Sequence, residues 1–190
     1  MLELQNIYKS YGEKIILQNF SYKFNSTGLY AISGASGIGK TTLLRLISRL
    51  ESADKGHIKG PKEIAYSFQE YRLFSNLTMM QNIELVAFGK HDEDNTETIE
   101  RYLSLLSLLD DKDKYPSELS GGMKQRVSLI RAFVTSAPII LLDEPTKELD
   151  TELANVVVEI IQHLSKERLI IFTVHDENFA SEIGSEIIRL

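Results

Sequence analysis

Cysteine is absent from all 190 positions. The chain therefore has no disulfide, no thiolate metal site and no thiol nucleophile, which suits a reducing compartment such as the cytosol. Long apolar runs are missing too. Nothing approaches the roughly 18 uninterrupted apolar residues of a bilayer-spanning helix, so any membrane association is expected to come through a partner. At the start of the chain, Glu3, Gln5 and Asn6 interrupt the apolar stretch that a secretory signal would need. Positive charge is in deficit: 21 Lys and Arg stand against 27 Asp and Glu, a net charge of −6. Nonspecific nucleic-acid binding needs a cationic surface, so nucleic acid is not an expected partner. Internal repeats and low-complexity tracts are also lacking.

What is present is ordinary for a soluble globular protein, with 43% hydrophobic and 25% charged residues. The length suits one domain, or a core with a small appended lobe. Acidic residues gather at 91–100 and 110–113, and are read as solvated loops.

Apolar spacing divides the chain into elements. Leu2, Leu4 and Tyr8 alternate with polar residues as in an edge strand, and Lys14–Phe24 forms another, broken at Gln18-Asn19. Gly28–Ser33 is a short buried strand, and the helix after it, Thr42–Leu50, carries Leu43, Leu44, Leu46, Ile47 and Leu50. Glu63–Phe68 is one more strand. Helices are predicted over Thr78–Phe88 and Thr96–Leu109, with Thr78 and Thr96 as N-caps. A further helix is expected over Met123–Thr135. Strand–helix–strand order returns with Ile139–Leu142, Glu152–Leu164 and Leu169–Val174, and Glu186–Leu190 is a last strand. The expected fold is α/β, a single domain over 1–190. Residues 1–69 and 136–190 form a core with a largely parallel sheet, and 70–135 an inserted helical lobe.

Three stretches carry chemistry. Residues 34–41 read GASGIGKT. Glycines at this spacing let successive N–H groups turn inward on phosphate oxygens, and the following helix adds its positive end. Lys40 is expected to reach the β- and γ-phosphates and Thr41 to ligate Mg²⁺. Residues 139–145 read IILLDEP. Asp143 follows four apolar strand residues and so reaches the sheet edge, where an Mg²⁺-binding acid belongs. Residues 119–126 read LSGGMKQR. Ser120, Gly121 and Gly122 open a helix, so a hydroxyl, bare N–H groups and a helix dipole make a second anion site.

Together and in this order, the three stretches resemble the ATP-binding subunit of an ABC (ATP-binding-cassette) transporter. The resemblance covers nearly the whole chain. It implies a P-loop NTPase core with a small antiparallel β region, ATP and Mg²⁺ as ligands, and ATP hydrolysis coupled to transport. By the same resemblance Gly34, Ala35, Ser36, Gly37, Ile38, Gly39, Lys40, Thr41 and Thr42 hold ATP, and Tyr11 stacks on its adenine. Glu144 polarises the attacking water, Gln69 touches Mg²⁺ or that water, and His175 meets the γ-phosphate. The remaining histidines, His57, His91 and His163, are read as structural or exposed.

The resemblance further implies a head-to-tail dimer, homomeric or heteromeric. There Ser120, Gly121 and Gly122 cap the partner's ATP, and Leu149-Asp150 crosses the interface. Integral membrane permease subunits would receive the work, placing this chain in the cytoplasm on the inner face of the cell membrane. Their docking surface is expected around 69–80, with Phe74, Leu77, Met79 and Met80.

Residues 68–83 and 115–123 look like importer subunits, especially those for nitrate, sulfonate or taurine, although small exporting systems share much of the pattern. The alternative is a soluble ABC-type ATPase outside transport. Its DNA-repair members carry long coiled coils for which the span from Gln69 to Leu119 leaves no room. Residues 146–150, TKELD, depart from the family pattern, because Lys147 and Glu148 stand where relatives carry small or neutral residues. The stretch between Lys40 and Gln69 is short for the family. The chain also stops soon after the histidine strand, so no regulatory domain is expected there.

Overall fold

The structure, a computed structural model, describes residues 1–87 and 92–190. Its centre is a five-stranded sheet. In chain order the strands are β3 (Gly28–Ser33), β5 (Ile64–Ser67), β6 (Ile139–Leu142), β7 (Leu169–Val174) and β8 (Glu186–Arg189). They lie in the order β5-β6-β7-β3-β8, and every neighbouring pair is parallel. A second sheet pairs β1 (Leu2–Tyr11) antiparallel with β2 (Lys14–Phe24) on one side and β4 (Lys55–Lys59) on the other.

A parallel sheet is covered on both faces, so its strands read as continuous apolar runs. Side chains alternate between the faces, and two cores result. Ile140, Leu142, Ile170 and Phe172 enter one core, together with α4 (Gly121–Phe133) and α5 (Thr151–Leu164). Ile139, Leu141, Leu169 and Ile171 enter the other, beside α1 (Lys40–Ile47) and the antiparallel sheet. Burying each such side chain contributes about 1.5–3 kcal/mol. These strands are therefore the rigid part on which the site is built.

Several boundaries differ from expectation. Strand β2 runs unbroken through Gln18-Asn19. Asn19 takes φ 55° and Asn6, on the facing strand, φ 49°, and the Asn6 amide donates to Asn19 Oδ1 at 2.8 Å. The pairing shifts register beside them, so a bulge absorbs the irregularity without ending the strand.

Helix α2 (Met79–Glu84) stops well before the predicted end, and Phe88 lies outside the described residues. Thr78 does cap it: its hydroxyl accepts from Gln81 N, while the Gln81 side chain accepts from Thr78 N. Helix α3 (Asp92–Leu105) begins before Thr96, which is thus inside the helix and not its cap. Most of the acidic stretch at 91–100 is accordingly helical rather than loop, and His91 lies outside the described residues. Leu109 belongs to a separate 3-10 turn, Leu109–Asp111. Helix α4 begins at Gly121, ahead of the expected Met123. Helix α6 (Glu177–Glu182) was not anticipated, because six residues with little apolar spacing leave almost no periodic signal.

Candidate active site

Parallel register decides what meets at this site. Ser33 pairs with Val174, Leu142 with Phe172 and Ser67 with Leu142. The segments leaving β3, β5, β6 and β7 therefore emerge at one edge of the sheet, the carboxyl edge where open α/β sheets bind ligands. They deliver the glycine loop, Gln69, Asp143-Glu144 and His175 to a common place.

The loop from Gly34 feeds straight into α1. Gly39 has φ 125°, and a Cβ there would come within 2.4 Å of Ile16 Cγ2. Any other side chain would push the strand β2 residue out of the cradle wall. Lys40 is almost buried, 6% exposed. Its ammonium donates to the carbonyls of Gly34 at 2.6 Å and Ala35 at 3.2 Å, and lies 3.4 Å from His175 Nδ1. A cavity of about 250 Å³ opens above the loop. Its walls include Ser36, Gly37, Gly39, Lys40, Thr41, Thr42, Gln69, Glu144, Lys147 and His175, with Ile16 from β2.

Asp143 is buried and its two oxygens differ. Oδ1 accepts from the Thr173 hydroxyl at 2.7 Å, and that hydroxyl in turn accepts from Glu144 N at 2.9 Å. Oδ2 is buried with no hydrogen-bond partner. A lone buried carboxylate oxygen is costly unless something binds it. Asp143 lines a niche shared with Thr41 and Gln69. One carboxylate, one hydroxyl and one amide suit Mg²⁺, which keeps water and phosphate oxygens for its other positions. Among the described residues no cluster of three or more His, Asp or Glu forms a metal cage. Tyr66 also lines the niche, and burial, then the Asp143 charge, push its hydroxyl well above its ordinary pKa.

Glu144 stands on the second position beyond β6, after Asp143, at φ 52°. The left-handed conformation costs a non-glycine residue roughly 1–2 kcal/mol. Hydrogen bonds on both sides hold it there: the Gln125 amide donates to Glu144 O at 3.0 Å, and the Gln125 oxygen accepts from Glu148 N at 3.0 Å. Its carboxylate is surrounded by donors. His175 Nε2 lies 2.6 Å from Oε1, while Lys147 Nζ at 2.7 Å and Gln69 Nε2 at 3.4 Å face Oε2. A His175 tautomer protonated at Nε2 donates to Glu144 and accepts from Lys40, so both neighbours are satisfied. Burial pushes the Glu144 pKa up, but hydrogen bonds from Lys147 and His175 outweigh it and hold the group below the ordinary glutamate value. The hydrogen bond to Glu144 raises Lys147 in return.

Tyr11 lies at the end of β1, 46% exposed. Its hydroxyl bonds Glu51 and lies beside Thr42. It stands at the rim of the phosphate cradle and not in its wall. Ser120, Gly121, Gly122 and Asp150 do not line the cradle either. Ser120 caps α4 by accepting from Met123 N at 3.2 Å, and Asp150 caps α5 by accepting from Leu153 N at 2.9 Å.

The residues expected at a docking surface divide. Phe74 is half exposed and lines an apolar groove of about 370 Å³ with Tyr66, Phe68, Tyr71 and Val86. Met79 is fully buried and Met80 packs on the same core, so these two are packing residues.

Two contributors escaped the sequence reading. Thr173, buried near the end of an apolar strand, was a visible irregularity. Gln125 is a buried amide on an otherwise apolar helix face, and nothing local revealed what it would bind.

Comparison with known proteins decides the family. The ABC transporter family profile matches residues 17–147. The chain belongs to the ABC transporter family. Among its relatives is the glutamine transport ATP-binding protein GlnQ of Bacillus subtilis, 33% identical over 207 residues, 99% of this chain and 86% of that protein. Another is the sulfate/thiosulfate import ATP-binding protein CysA of Escherichia coli, 33% identical over 206 residues but with only 56% of its length covered. The ATP-binding cassette MJ0796, seen as a dimer in a post-hydrolysis state bound to ADP and Pi, superposes with a TM-score of 0.90 at 28% identity. That match covers 100% of this chain and 94% of the cassette. The chain is thus an ABC-type ATPase, an ATP-binding subunit whose hydrolysis of ATP serves transport.

Proposed function

We propose that the cradle formed by Gly34–Thr42 holds Mg²⁺-ATP and that Glu144 is the base that activates the attacking water. The observation that carries this reading is the position of the Glu144 carboxylate, in one cavity wall with Lys40 and hydrogen-bonded to His175. Lys40 would leave its loop carbonyls for the β- and γ-phosphates. His175 would hold the γ-phosphate, and Tyr11 would stack on the adenine from the rim. Thr41, Gln69 and Asp143 Oδ2 would hold Mg²⁺, which supplies charge neutralisation on the phosphates when bound. General-base assistance contributes about 10²–10⁴-fold in rate.

One protomer does not place Ser120, Gly121 and Gly122 at its own cradle. We therefore read the working form as a head-to-tail dimer, homomeric or heteromeric, in which each α4 N-terminus caps the other protomer's ATP and Asp150 lies near the shared interface. The dimeric arrangement of the MJ0796 cassette supports this. Among the described residues no helix is long and apolar enough to cross a membrane. Work is accordingly passed to separate membrane subunits, for which the groove around Phe74 is the docking place, with the chain on the cytoplasmic face. Import is the favoured direction, in line with the sulfate/thiosulfate importer among its relatives. The chain is read as one ATP-binding domain of two lobes, 70–135 being the helical one.

The test is Glu144→Gln. The variant should bind ATP and form a stable dimer in sedimentation while turnover falls about 100-fold or more. Turnover retained at the wild-type rate would remove Glu144 from the reaction.

A further inference from the structure

Glu144 carries an ion pair that its work as a base does not need. Lys147 Nζ lies 2.7 Å from Oε2, and His175 already holds Oε1 at 2.6 Å. With a donor on each oxygen, and a cation on Oε2, the carboxylate is crowded and stabilised as the anion, which makes it a poorer acceptor for a water proton. In hydrolysis the water oxygen attacks the γ-phosphorus and its proton passes to the carboxylate. The bond to the β-phosphate oxygen breaks, and ADP departs with that electron pair. A lone pair directed at the water must be available for this, and the Lys147 cation competes for Oε2. Oε1 is held from the strand side by His175, itself in contact with Lys40. Lys147 comes from the loop that follows the base, on a long flexible stem, and its side chain is 53% exposed.

The loop that carries Lys147 is strapped on both flanks. Gln125 bridges Glu144 O and Glu148 N. The Glu148 carboxylate accepts from the Tyr71 hydroxyl at 2.5 Å and comes so close to Gly121 that a Cβ there would lie 2.6 Å from its Oε2. Tyr71, Glu148 and Gln125 together keep the root of the Lys147 side chain within reach of Oε2.

We infer that Lys147 is a latch on Glu144, a positioning residue that occupies Oε2 in the resting protomer and swings away before that oxygen accepts the proton of water. The inference rests on Glu144 as the base. An attraction present at rest and absent in the transition state raises the barrier by its own strength. A pair with one half-exposed partner is weak, so the latch should slow turnover by about two- to fivefold.

The experiment compares wild type, Lys147→Ala and Lys147→Arg in the whole chain with saturating Mg²⁺-ATP. Lys147→Ala should raise kcat about two- to fivefold with KM within about twofold. Lys147→Arg, which keeps the cation, should bring kcat back toward wild type. A lower kcat in Lys147→Ala would mean that the ammonium aids the transition state, and a KM raised well beyond twofold that it holds phosphate. Either result, or an unchanged kcat, overturns the latch. The double variant with Glu144→Gln separates the two claims. Persisting turnover would bring down Glu144 as base, whereas abolished turnover with no gain in Lys147→Ala would bring down the latch alone. Nitrogen-15 NMR of the nucleotide- and magnesium-free protein reads the pair without turnover. The Lys147 side-chain nitrogen shift should differ between wild type and Glu144→Gln, and an identical shift in the two would refute the pair.

Discussion

Gln125→Ala removes a single amide that no proposed step of hydrolysis uses directly, and so tests what holds Glu144 and the loop after it in place. The side chain is buried and makes two bonds at 3.0 Å, one to Glu144 O and one from Glu148 N. Truncation leaves a carbonyl and an N–H without partners, each costing about 1–3 kcal/mol when water cannot reach it. Glu144 is part-buried at φ 52°, and the neighbouring loop is partly open. The lower half of that range therefore applies, giving about 2–4 kcal/mol in total. Backbone strain acts in the same direction. Without the strap, Glu144 is free to relax from its left-handed conformation, which moves the carboxylate off His175 and Lys40. Urea unfolding should report the loss as a lower midpoint with an unchanged slope. ATPase kinetics should show kcat falling while KM for ATP changes little, because the cradle itself is untouched. A variant within about 0.5 kcal/mol of wild type and with full kcat would refute the claim that Gln125 holds the base in position.

Lys40→Ala should weaken ATP binding about ten- to hundredfold, the range expected when charge-assisted hydrogen bonds to phosphate are lost, and titration with a fluorescent nucleotide measures it. Ser120→Arg should leave ATP binding to the monomer intact and abolish ATP-dependent dimerisation in sedimentation, since the helix start would carry a bulky cation in place of a small cap. Glu51 gives a pH test. The Tyr11 hydroxyl and then Lys9 hold its pKa below the ordinary 4.5. The stabilisation is therefore present above pH 4.5 and disappears as pH falls through the lowered value. Thermal unfolding of Glu51→Gln should thus lie below wild type at neutral pH, and the two curves should converge in acid.

Much of this protein is written locally. Glycine spacing at 34–39 lets the backbone turn its N–H groups inward, and four apolar residues before Asp143 mark a covered strand that brings the carboxylate to its edge. Thr78 followed by Gln81 specifies its own capping box whatever surrounds it. Such features rest on neighbours three or four residues apart, so the chain alone reveals them. Where local spacing was weak it misled: the acidic stretch at 91–100 is mostly the first part of helix α3, not loop.

Tertiary structure alone decided how distant residues engage. Gln125 and Glu144, 19 positions apart, bond because α4 packs beside the end of β6. Thr173 orients Asp143 because β6 and β7 run parallel in a register that sets them side by side. Lys147 was visible as an odd charge in TKELD, yet its direction, inward onto the base, depends on straps from Tyr71 and Gln125. The physical reason is range. Turns, caps and apolar periodicity are short-range and survive in the sequence, whereas the partner of a buried polar group is fixed only once the sheet has closed around it.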